Sequence, residues 1–514
     1  MRHASHKLPL ILATVALLAG CAVNPVTGKK ELMLVSEGSE LEIGQQNYAP
    51  ARQSEGGDYR LDPELQRYVQ EVGGRLAAVS DRPLPYEFTV LNNSVPNAWS
   101  LPGGKIALNR GLLVELHSEA ELAAVLGHEI VHAAARHSAA AMSRGMLLQG
   151  GLLVAQVAAS DSDYGNLYAG AASIGAGLLM QRYSRQAELE ADRYGMQYLS
   201  RAGYDPQAAI SLQETFVKLN EGKSGGWLAG LFASHPPSPQ RVEANRATAA
   251  TLPGGGSRGE DAYRAALART LRAKPAYDAY DEGRKALAAK HPEEALAKAQ
   301  QAIRLEPAES HFHALVGDVH LVQKNHAGAI RAYSDAIARS DGFFYYYLQR
   351  GLAAEHLKDD ESARRDLEVS IRLLPTGPAY YSLGNIALRS RDNETAKKYF
   401  ELASGAEGPV GEAATRSLLR LDLPQSPEKY LRQQALLDGS GLLVVAVGNP
   451  TRVPVTGLRI GIRYRDASGQ VREASRDVGG TLAAGQQIQV ATRLGPFTAA
   501  NQFQVAITQA RVAE

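Results

Sequence analysis

The chain contains very little cysteine, with Cys21 as the only one among 514 residues. A single thiol excludes an internal disulfide and a metal cluster built from several thiolates. A dominant charge of one sign is also lacking, because 55 Lys and Arg residues balance 54 Asp and Glu residues to a formal net charge of +1. Such a chain has no overall field that would attract polyanions, so we expect no nucleic-acid partner.

Long apolar runs are scarce as well. One follows a basic start at residues 8–19 and is too short to span a bilayer comfortably. It ends in Leu-Ala-Gly-Cys at residues 18–21, which resembles the lipobox of bacterial lipoproteins. The resemblance implies that residues 1–20 are a signal peptide and that Cys21 is acylated. The alternative is an ordinary export signal with an incidental cysteine.

The residue after the cysteine bears on the membrane concerned. Ala22 stands where an Asp would retain an enteric-type lipoprotein in the inner membrane. Outside the N-terminus, no uninterrupted run of about 20 apolar residues predicts a spanning helix. We therefore expect a periplasmic protein that is lipid-anchored, at the outer membrane.

The length exceeds what one hydrophobic core normally supports, so we expect a multidomain protein. Residues 21–252 mix short strand patterns with longer helical ones, and the Pro-Gly-Gly-Gly-Ser run at 253–257 has the composition of a linker. Residues 260–425 are rich in alanine and helical in pattern, whereas residues 434–514 alternate apolar and polar residues in short runs. These patterns predict a mostly α domain with a small sheet, an α-solenoid and a small C-terminal β-sandwich.

The alanine-rich region repeats. Glycines recur at intervals of 34, 34 and 33 residues, and small residues stand 12 and 19 positions after each of them. The repeated glycines are Gly283, Gly317, Gly351 and Gly384. This period is typical of tetratricopeptide repeats, whose stacked helix pairs form a groove that docks peptides or proteins. We expect a protein partner at that groove; a packing spacer is the alternative.

Candidate chemistry is concentrated in the sequence His128-Glu129-Ile130-Val131-His132. Histidines at positions i and i+4 of a helix lie on one face and can reach one metal ion. Glu129, beside them, is placed to take a proton from the attacking water. The alternative is a helical His pair that binds no metal. The rest of the sequence decides between the two.

A third ligand is sought on a second helical segment. Glu188 follows His132 by 56 residues and completes a His-His-Glu site for one Zn²⁺ ion with an open fourth position. Asp192, one turn further, is expected to hold the free N–H of a ligand imidazole. We expect Glu190 to be solvated and His137 to lie on the surface. Zinc is favoured by the ligand types, which do not exclude other divalent ions.

These two motifs together resemble gluzincin peptidases, the group that includes the CaaX prenyl endopeptidases and the heat-shock protease HtpX. Segments 24–28, 97–104 and 234–237 agree, so the resemblance covers about residues 24–250. With the repeats added, the chain is most similar to the BepA-like periplasmic lipoprotein proteases. The C-terminal segment lies outside the resemblance.

The resemblance implies further roles. Ile106, Ala107, Leu108 and Asn109 would form an edge strand along which an unfolded or extended substrate is added. His235, in a His-Pro motif, would be either a fourth metal ligand that keeps the enzyme latent or a catalytic donor to the oxyanion. The Gly/Ala-rich interval 145–180 would be a lid or membrane-grazing hairpin, or else a plain buried hairpin.

The sequence thus predicts a zinc metalloendopeptidase that cleaves misfolded or stalled envelope and outer-membrane proteins, with possible chaperone-like action. The alternatives are a non-proteolytic assembly adaptor or chaperone that uses the repeat groove, and a structural scaffold that would leave the metal residues unexplained. If the repeats only dock substrates, deleting residues 260–425 should spare the cleavage of a short peptide.

Overall fold

The computed structural model describes residues 21–153, 183–221, 235–466 and 468–513. The predicted signal peptide and most of the predicted 145–180 hairpin lie outside the described residues. The chain divides into two compact units, the first of which reaches Leu357 and includes Arg372–Leu374. Lys358–Ile371 and the chain from Pro375 onward belong to the second. The prediction of a mostly helical protein with small sheets is confirmed.

The first part of unit 1 alternates short strands with helices. Its elements are β1 (Cys21–Val23), β2 (Lys30–Leu32), α1 (Glu37–Ser54), α2 (Pro63–Ala77), β3 (Glu87–Leu91), β4 (Ala98–Leu101), β5 (Lys105–Asn109), α3 (Arg110–Leu113), α4 (Glu119–Ala134), α5 (His137–Leu153), α6 (Arg185–Arg201), α7 (Gln207–Glu221) and α8 (Pro239–Ala249). None of the helices in the described ranges combines the length and the apolar character that crossing a membrane requires.

The sheet of this region has the strand order β3-β5-β4, with β5 parallel to β3 and antiparallel to β4. The expectation that Ile106–Asn109 form an edge strand is therefore wrong. These residues belong to β5, which pairs on both sides, so its backbone groups already have partners within the sheet. Among the described strands, the edge next to β5 on the antiparallel side is β4.

Helices α4 and α6 meet at two glycines. A Cβ added to Gly195 would lie 3.1 Å from the backbone nitrogen of His128, and one added to Gly127 would lie 3.2 Å from the carbonyl oxygen of Gly195. Both distances are shorter than ordinary van der Waals contact, so larger residues would hold the helices apart. The small residues let the two helix backbones approach closely at the level of His128.

The remainder of unit 1 consists of helices joined in pairs. They are α9 (Glu260–Ala266), α10 (Ala268–Ala288), α11 (Pro292–Leu305), α12 (Ser310–Val322), α13 (His326–Arg339) and α14 (Phe344–His356). The repeated glycine Gly317 lies against the ring of Tyr333, which a Cβ would overlap at 2.7 Å. After the first helix of successive pairs, Lys290 and Lys324 adopt positive φ angles of 65° and 58°, the left-handed conformation that ends many helices.

The hydrophobic core does not stop at the glycine-rich linker. Tyr263, Tyr277 and Phe312 from the helix pairs belong to the same buried cluster as Leu122 and Val125 of α4. The hydroxyl of Tyr263 donates a 2.6 Å hydrogen bond to the carbonyl of Leu113. The first helix pairs are therefore packed into the same core as the mixed α/β region.

Unit 2 begins with helices and ends with strands. Its elements are α15 (Asp360–Leu373), α16 (Gly377–Arg389), α17 (Asn393–Ser404), α18 (Pro409–Asp422), α19 (Pro427–Tyr430), β6 (Arg432–Leu437), β7 (Leu443–Gly448), β8 (Val455–Arg465), β9 (Val471–Leu482), β10 (Gln487–Ala491) and β11 (Phe503–Val512). The strands form two separate three-stranded antiparallel sheets, ordered β10-β7-β6 and β11-β8-β9. The strand content agrees with the sequence, and the β-sandwich stays a prediction.

Candidate metal centre

Four buried side chains of unit 1 converge at one point. His128 and His132 come from α4, Glu188 comes from α6 and His235 precedes α8, and their candidate ligand atoms all lie within 4.8 Å of one another. The Nε2 atoms of the two α4 histidines are 3.0 Å apart, and Nδ1 of His235 lies 3.3 Å from Nε2 of His128. Glu188 Oε1 lies 3.0 Å from His235 Nδ1. These are candidate metal ligands.

The spacing of these atoms tests whether a zinc ion fits. Ligand atoms bonded to zinc at about 2.0–2.1 Å in a tetrahedron lie about 3.3 Å from each other. Glu188 Oε1 is 3.4 Å from His132 Nε2, and Glu188 Oε2 is 3.6 Å from His128 Nε2. Together with the 3.0–3.3 Å nitrogen separations, the cluster has the dimensions and the donor atoms that zinc requires.

Local helix signals position these groups. Ser118 caps α4 by accepting a hydrogen bond from the backbone N–H of Glu121, which starts the helix that carries both histidines. Ser184 caps α6 in the same way through Ala187, which puts Glu188 in the first turn of that helix. Each cap is encoded locally, whereas the meeting of the two helices depends on the paired glycines.

Asp192 supports His128, one turn beyond Glu188 on α6. Its Oδ1 accepts a 2.9 Å hydrogen bond from His128 Nδ1, which leaves Nε2 facing the cluster. Arg241 in α8 donates from Nε and Nη2 to the two carboxylate oxygens at 2.7 Å each. Its Nη1 lies 3.0 Å from Glu188 Oε2. The sequence analysis did not identify Arg241 as a partner of Asp192 and Glu188.

His137 lies against the other α4 histidine, and the expectations for His137 and Glu190 are both wrong. His137 is 5% exposed rather than on the surface, and Glu190 is 9% exposed rather than solvated. Nδ1 of His137 lies 2.9 Å from Nδ1 of His132. The chain reverses at Arg136, whose positive φ of 62° turns His137 back toward α4. The ring of Tyr183 stacks on His132 with centroids 3.8 Å apart.

Glu129 lies beside the cluster and is 2% exposed. Its Oε1 is 3.5 Å from His235 Nε2, and its Oε2 has no hydrogen-bond partner among the described residues. A buried carboxylate oxygen without a partner costs free energy and calls for an explanation; here the oxygen is available to a molecule bound at the cluster. The pocket next to it has apolar walls, which include Val125, Met196, Leu212 and Phe216.

Burial and charge set the protonation states. Burial lowers the pKa of His132 well below its ordinary value, which keeps the imidazole neutral as metal binding requires. For Glu188, burial raises the pKa, but His235 and the other imidazoles outweigh it and hold the pKa well below the usual range. Burial likewise opposes the ionisation of Asp192, whose pKa is nonetheless lowered by Arg241. The pKa of His235 is raised, because Glu188 and Glu129 overcome the effect of burial.

Residues 63–249 match the family model described as Peptidase family M48. The matched segment contains the whole cluster and the helices that carry it. This segment of the chain is therefore similar to a peptidase domain of family M48.

The relatives that this chain resembles are proteases of two kinds, mitochondrial and bacterial. The chain is 37% identical over 223 residues to the mitochondrial metalloendopeptidase OMA1 of Schizosaccharomyces pombe, covering 42% of this chain and 63% of that protein. It is 31% identical over 250 residues to the beta-barrel assembly-enhancing protease of Escherichia coli K12, covering 46% of this chain and 51% of the relative. A putative protease of the latter name from Vibrio cholerae is 32% identical over 202 residues, covering 37% and 40%.

These matches span less than two thirds of each relative's length. Among solved structures, MamA aligns at 22% identity over 28% of this chain and 85% of its own, with a TM-score of 0.24. That score is too low to support an argument about this chain.

Proposed function

We propose that the chain is a zinc-dependent endopeptidase of the bacterial cell envelope that cleaves misfolded or stalled envelope and outer-membrane proteins. The observation that carries the proposal is the buried cluster of two helical histidines and a glutamate, with Glu129 beside it, inside a family M48 domain. The name of the bacterial relatives, beta-barrel assembly-enhancing protease, supports the choice of substrates.

In the proposed mechanism, His128, His132 and Glu188 would hold one zinc ion, which would supply a Lewis acid to activate water and polarise the peptide carbonyl. Glu129 takes the proton of the attacking water at its free Oε2 and delivers it to the leaving amine. Asp192 keeps the His128 ring oriented by accepting its hydrogen bond, and Arg241 fixes Asp192 in turn. The buried pocket limits access of bulk water to these groups.

His235 has two proposed roles, and its position in the cluster matches the first of them. With Nδ1 among the candidate ligand atoms, it is a fourth ligand that keeps the enzyme latent. When it swings away, it donates a hydrogen bond to the oxyanion of the tetrahedral intermediate, a contribution of about 3–4 kcal/mol in other enzymes.

We propose that the substrate is an unfolded or extended segment held through its backbone. With β5 enclosed, β3 and β4 are the outer strands of this sheet, and we propose β4 for such pairing because its Ala98 also lines the pocket beside Glu129. Specificity would then depend more on an extended conformation than on side chains. The repeat helices would bind a protein partner, and acylated Cys21 would anchor the chain at the outer membrane, facing the periplasm.

The test uses purified chain with casein or an unfolded outer-membrane protein. We expect cleavage by the wild type, loss of cleavage with a chelator and its recovery on adding zinc. Glu129→Gln should lower kcat by about 10²–10⁴-fold while zinc content stays at one ion per chain. Glu243→Gln, the same chemical change at an exposed position of α8, is the matched control and should cleave normally. Cleavage that survives Glu129→Gln contradicts the mechanism.

The repeats also favour a second function, that of a non-proteolytic assembly adaptor or chaperone. Helix pairs at a 34-residue interval generate the kind of surface that docks extended proteins. Zinc-loaded wild type that suppresses the aggregation of an unfolded outer-membrane protein without cleaving it would support this function over proteolysis.

A further inference from the structure

We infer that His137 and Glu190 are positioning residues that fix the tautomer and the orientation of His132 at the metal centre. This inference rests on the proposed zinc site and deepens it. The observations behind it are the 2.9 Å contact between Nδ1 of His137 and Nδ1 of His132 and the placement of Glu190 behind His137.

The position of each proton follows from which nitrogens face the cluster. His132 points Nε2 at His128 and Glu188, so a metal bound there requires Nε2 without a proton. The proton of the neutral His132 ring must then sit on Nδ1. Two facing Nδ1 atoms form a hydrogen bond only when one of them donates, so His137 must accept at Nδ1. Neutral His137 consequently carries its proton on Nε2.

Glu190 stabilises that arrangement from the other side. Its Oε1 accepts hydrogen bonds from Lys29 Nζ at 3.0 Å and from Gln186 Nε2 at 2.9 Å. Its Oε2 lies 3.6 Å from Nε2 of His137, beyond hydrogen-bond distance. A negative oxygen next to this nitrogen favours the tautomer with the proton on Nε2. The alternative tautomer would turn a lone pair toward the carboxylate and a second N–H toward His132.

The two ligand histidines are thus backed by similar chains. His128 contacts Asp192, which in turn accepts hydrogen bonds from Arg241. His132 contacts His137, and Glu190 lies next to His137 and accepts a hydrogen bond from Lys29. Helix α6 carries Asp192 and Glu190 as well as the candidate ligand Glu188. One helix therefore positions a ligand and a carboxylate on each side of the cluster. The series of contacts from His132 differs from that of His128 because it extends to Lys29, in the segment that joins strands β1 and β2.

That connection ties the metal centre to the N-terminal segment. Asn24, in the same turn, donates a 3.0 Å hydrogen bond from Nδ2 to the carbonyl of Ala135 at the end of α4. Asn24 Nδ2 also contacts Glu31 Oε1 at 2.9 Å. The segment after Cys21 is therefore bonded both to the ligand helix and, through Lys29, to the support of His132.

The test compares substitutions at residue 137 by their zinc affinity, measured in competition with a chromogenic chelator in the full chain from Cys21 onward. Asn offers an acceptor near the position of Nδ1, whereas Gln places its amide near Nε2. His137→Leu should weaken zinc binding by about 10–100-fold, the range typical for groups that orient metal ligands. His137→Asn should recover most of that loss and His137→Gln little of it. Equal affinity of the Asn and Gln variants would overturn the proposed role of His137.

A double-mutant cycle tests Glu190. In the wild type, Glu190→Gln should weaken zinc binding by about tenfold. In the His137→Asn background it should have no further effect, because the shorter side chain no longer reaches the carboxylate. Equal losses in both backgrounds would overturn the role of Glu190. The matched controls, Lys298→Met and Glu282→Gln, break an ion pair of the repeat helices and should leave zinc affinity unchanged.

The outcomes separate this inference from the proposed function. Wild-type protein that binds no zinc contradicts the proposed function. Wild-type protein that binds one zinc ion, with the same affinity in every residue 137 variant, contradicts the positioning role alone.

Discussion

Arg241 holds Asp192 through two hydrogen bonds of 2.7 Å, one from Nε to Oδ2 and one from Nη2 to Oδ1. Both side chains are buried. Asp192 in turn orients the His128 ring by accepting a 2.9 Å hydrogen bond from it. A two-point contact between planar groups fixes angle as well as distance, which a lysine could not do. Arg241 therefore links α8 and α6 directly behind a candidate metal ligand.

Replacing Arg241 should affect both stability and metal binding. Arg241→Leu leaves Asp192 buried without its cation, so we expect the free energy of unfolding to fall by about 3–5 kcal/mol in urea titrations of metal-free protein. Zinc affinity should fall by about 10–100-fold, and Arg241→Lys should lie between. Arg246→Leu, one turn along the same helix and exposed, is the control. Unchanged zinc affinity in Arg241→Leu would contradict the orienting role.

The glycine contact between α4 and α6 gives a second prediction. In Gly195→Ala the added Cβ would stand 3.1 Å from the His128 backbone nitrogen, so the helices must separate slightly. We expect a loss of about 1–3 kcal/mol in unfolding free energy and weaker zinc binding, since the ligands are carried by different helices. Gly74→Ala in α2 is the matched control, because a Cβ there meets nothing within 4 Å. That substitution should be neutral or stabilising by up to about 1 kcal/mol.

His235→Ala should change both zinc affinity and turnover. Its Nδ1 lies 3.0 Å from Glu188 Oε1, within the candidate ligand set, so its loss should weaken zinc binding in chelator competition. Cleavage of a short peptide at saturating zinc should rise if His235 keeps the enzyme latent and fall if it stabilises the oxyanion. His291→Ala, which removes a largely exposed histidine, is the control. If His235→Ala leaves both quantities as in the wild type, the residue has no part in the site.

The sequence predicts best what depends on neighbours along the chain. His128 and His132 share a helix face by their spacing alone, and the four-residue step from Glu188 to Asp192 is equally local. The support of His132 by His137 could not be predicted, because it depends on the left-handed conformation of a single residue, Arg136. No sequence pattern at that position requires a positive φ.

Neither the order of the strands nor the continuity of the hydrophobic core could be predicted from the sequence. The edge position of Ile106–Asn109 was expected from the family resemblance alone, and only the pairing of this strand with both neighbours shows that it is central. A glycine-rich linker at 253–257 suggests an independent domain on either side. The cores nevertheless join, because aromatic residues after the linker pack onto residues before it.

This shared core leads to a prediction about truncation. Tyr263 lies in ring contact with Tyr68, Tyr277 lies against Tyr59, and the guanidinium of Arg110 stacks 3.4 Å above the Tyr277 ring. Losing one buried aromatic side chain costs about 3–5 kcal/mol, and the total stability of a domain is about 5–15 kcal/mol. Removing several at once should therefore unfold the region that carries the candidate metal centre.

We expect a chain of residues 21–259 to lose its cooperative thermal unfolding, its zinc binding and its cleavage of a short peptide. A chain of residues 21–357, which keeps the aromatic contacts, should retain all three, since the first compact unit extends to Leu357. Calorimetry of both chains, with zinc content measured on the same samples, makes the comparison. If the 21–259 chain folds and cleaves the peptide as well as the longer one, the repeats only dock substrates and the shared core does not stabilise the region of the candidate metal centre.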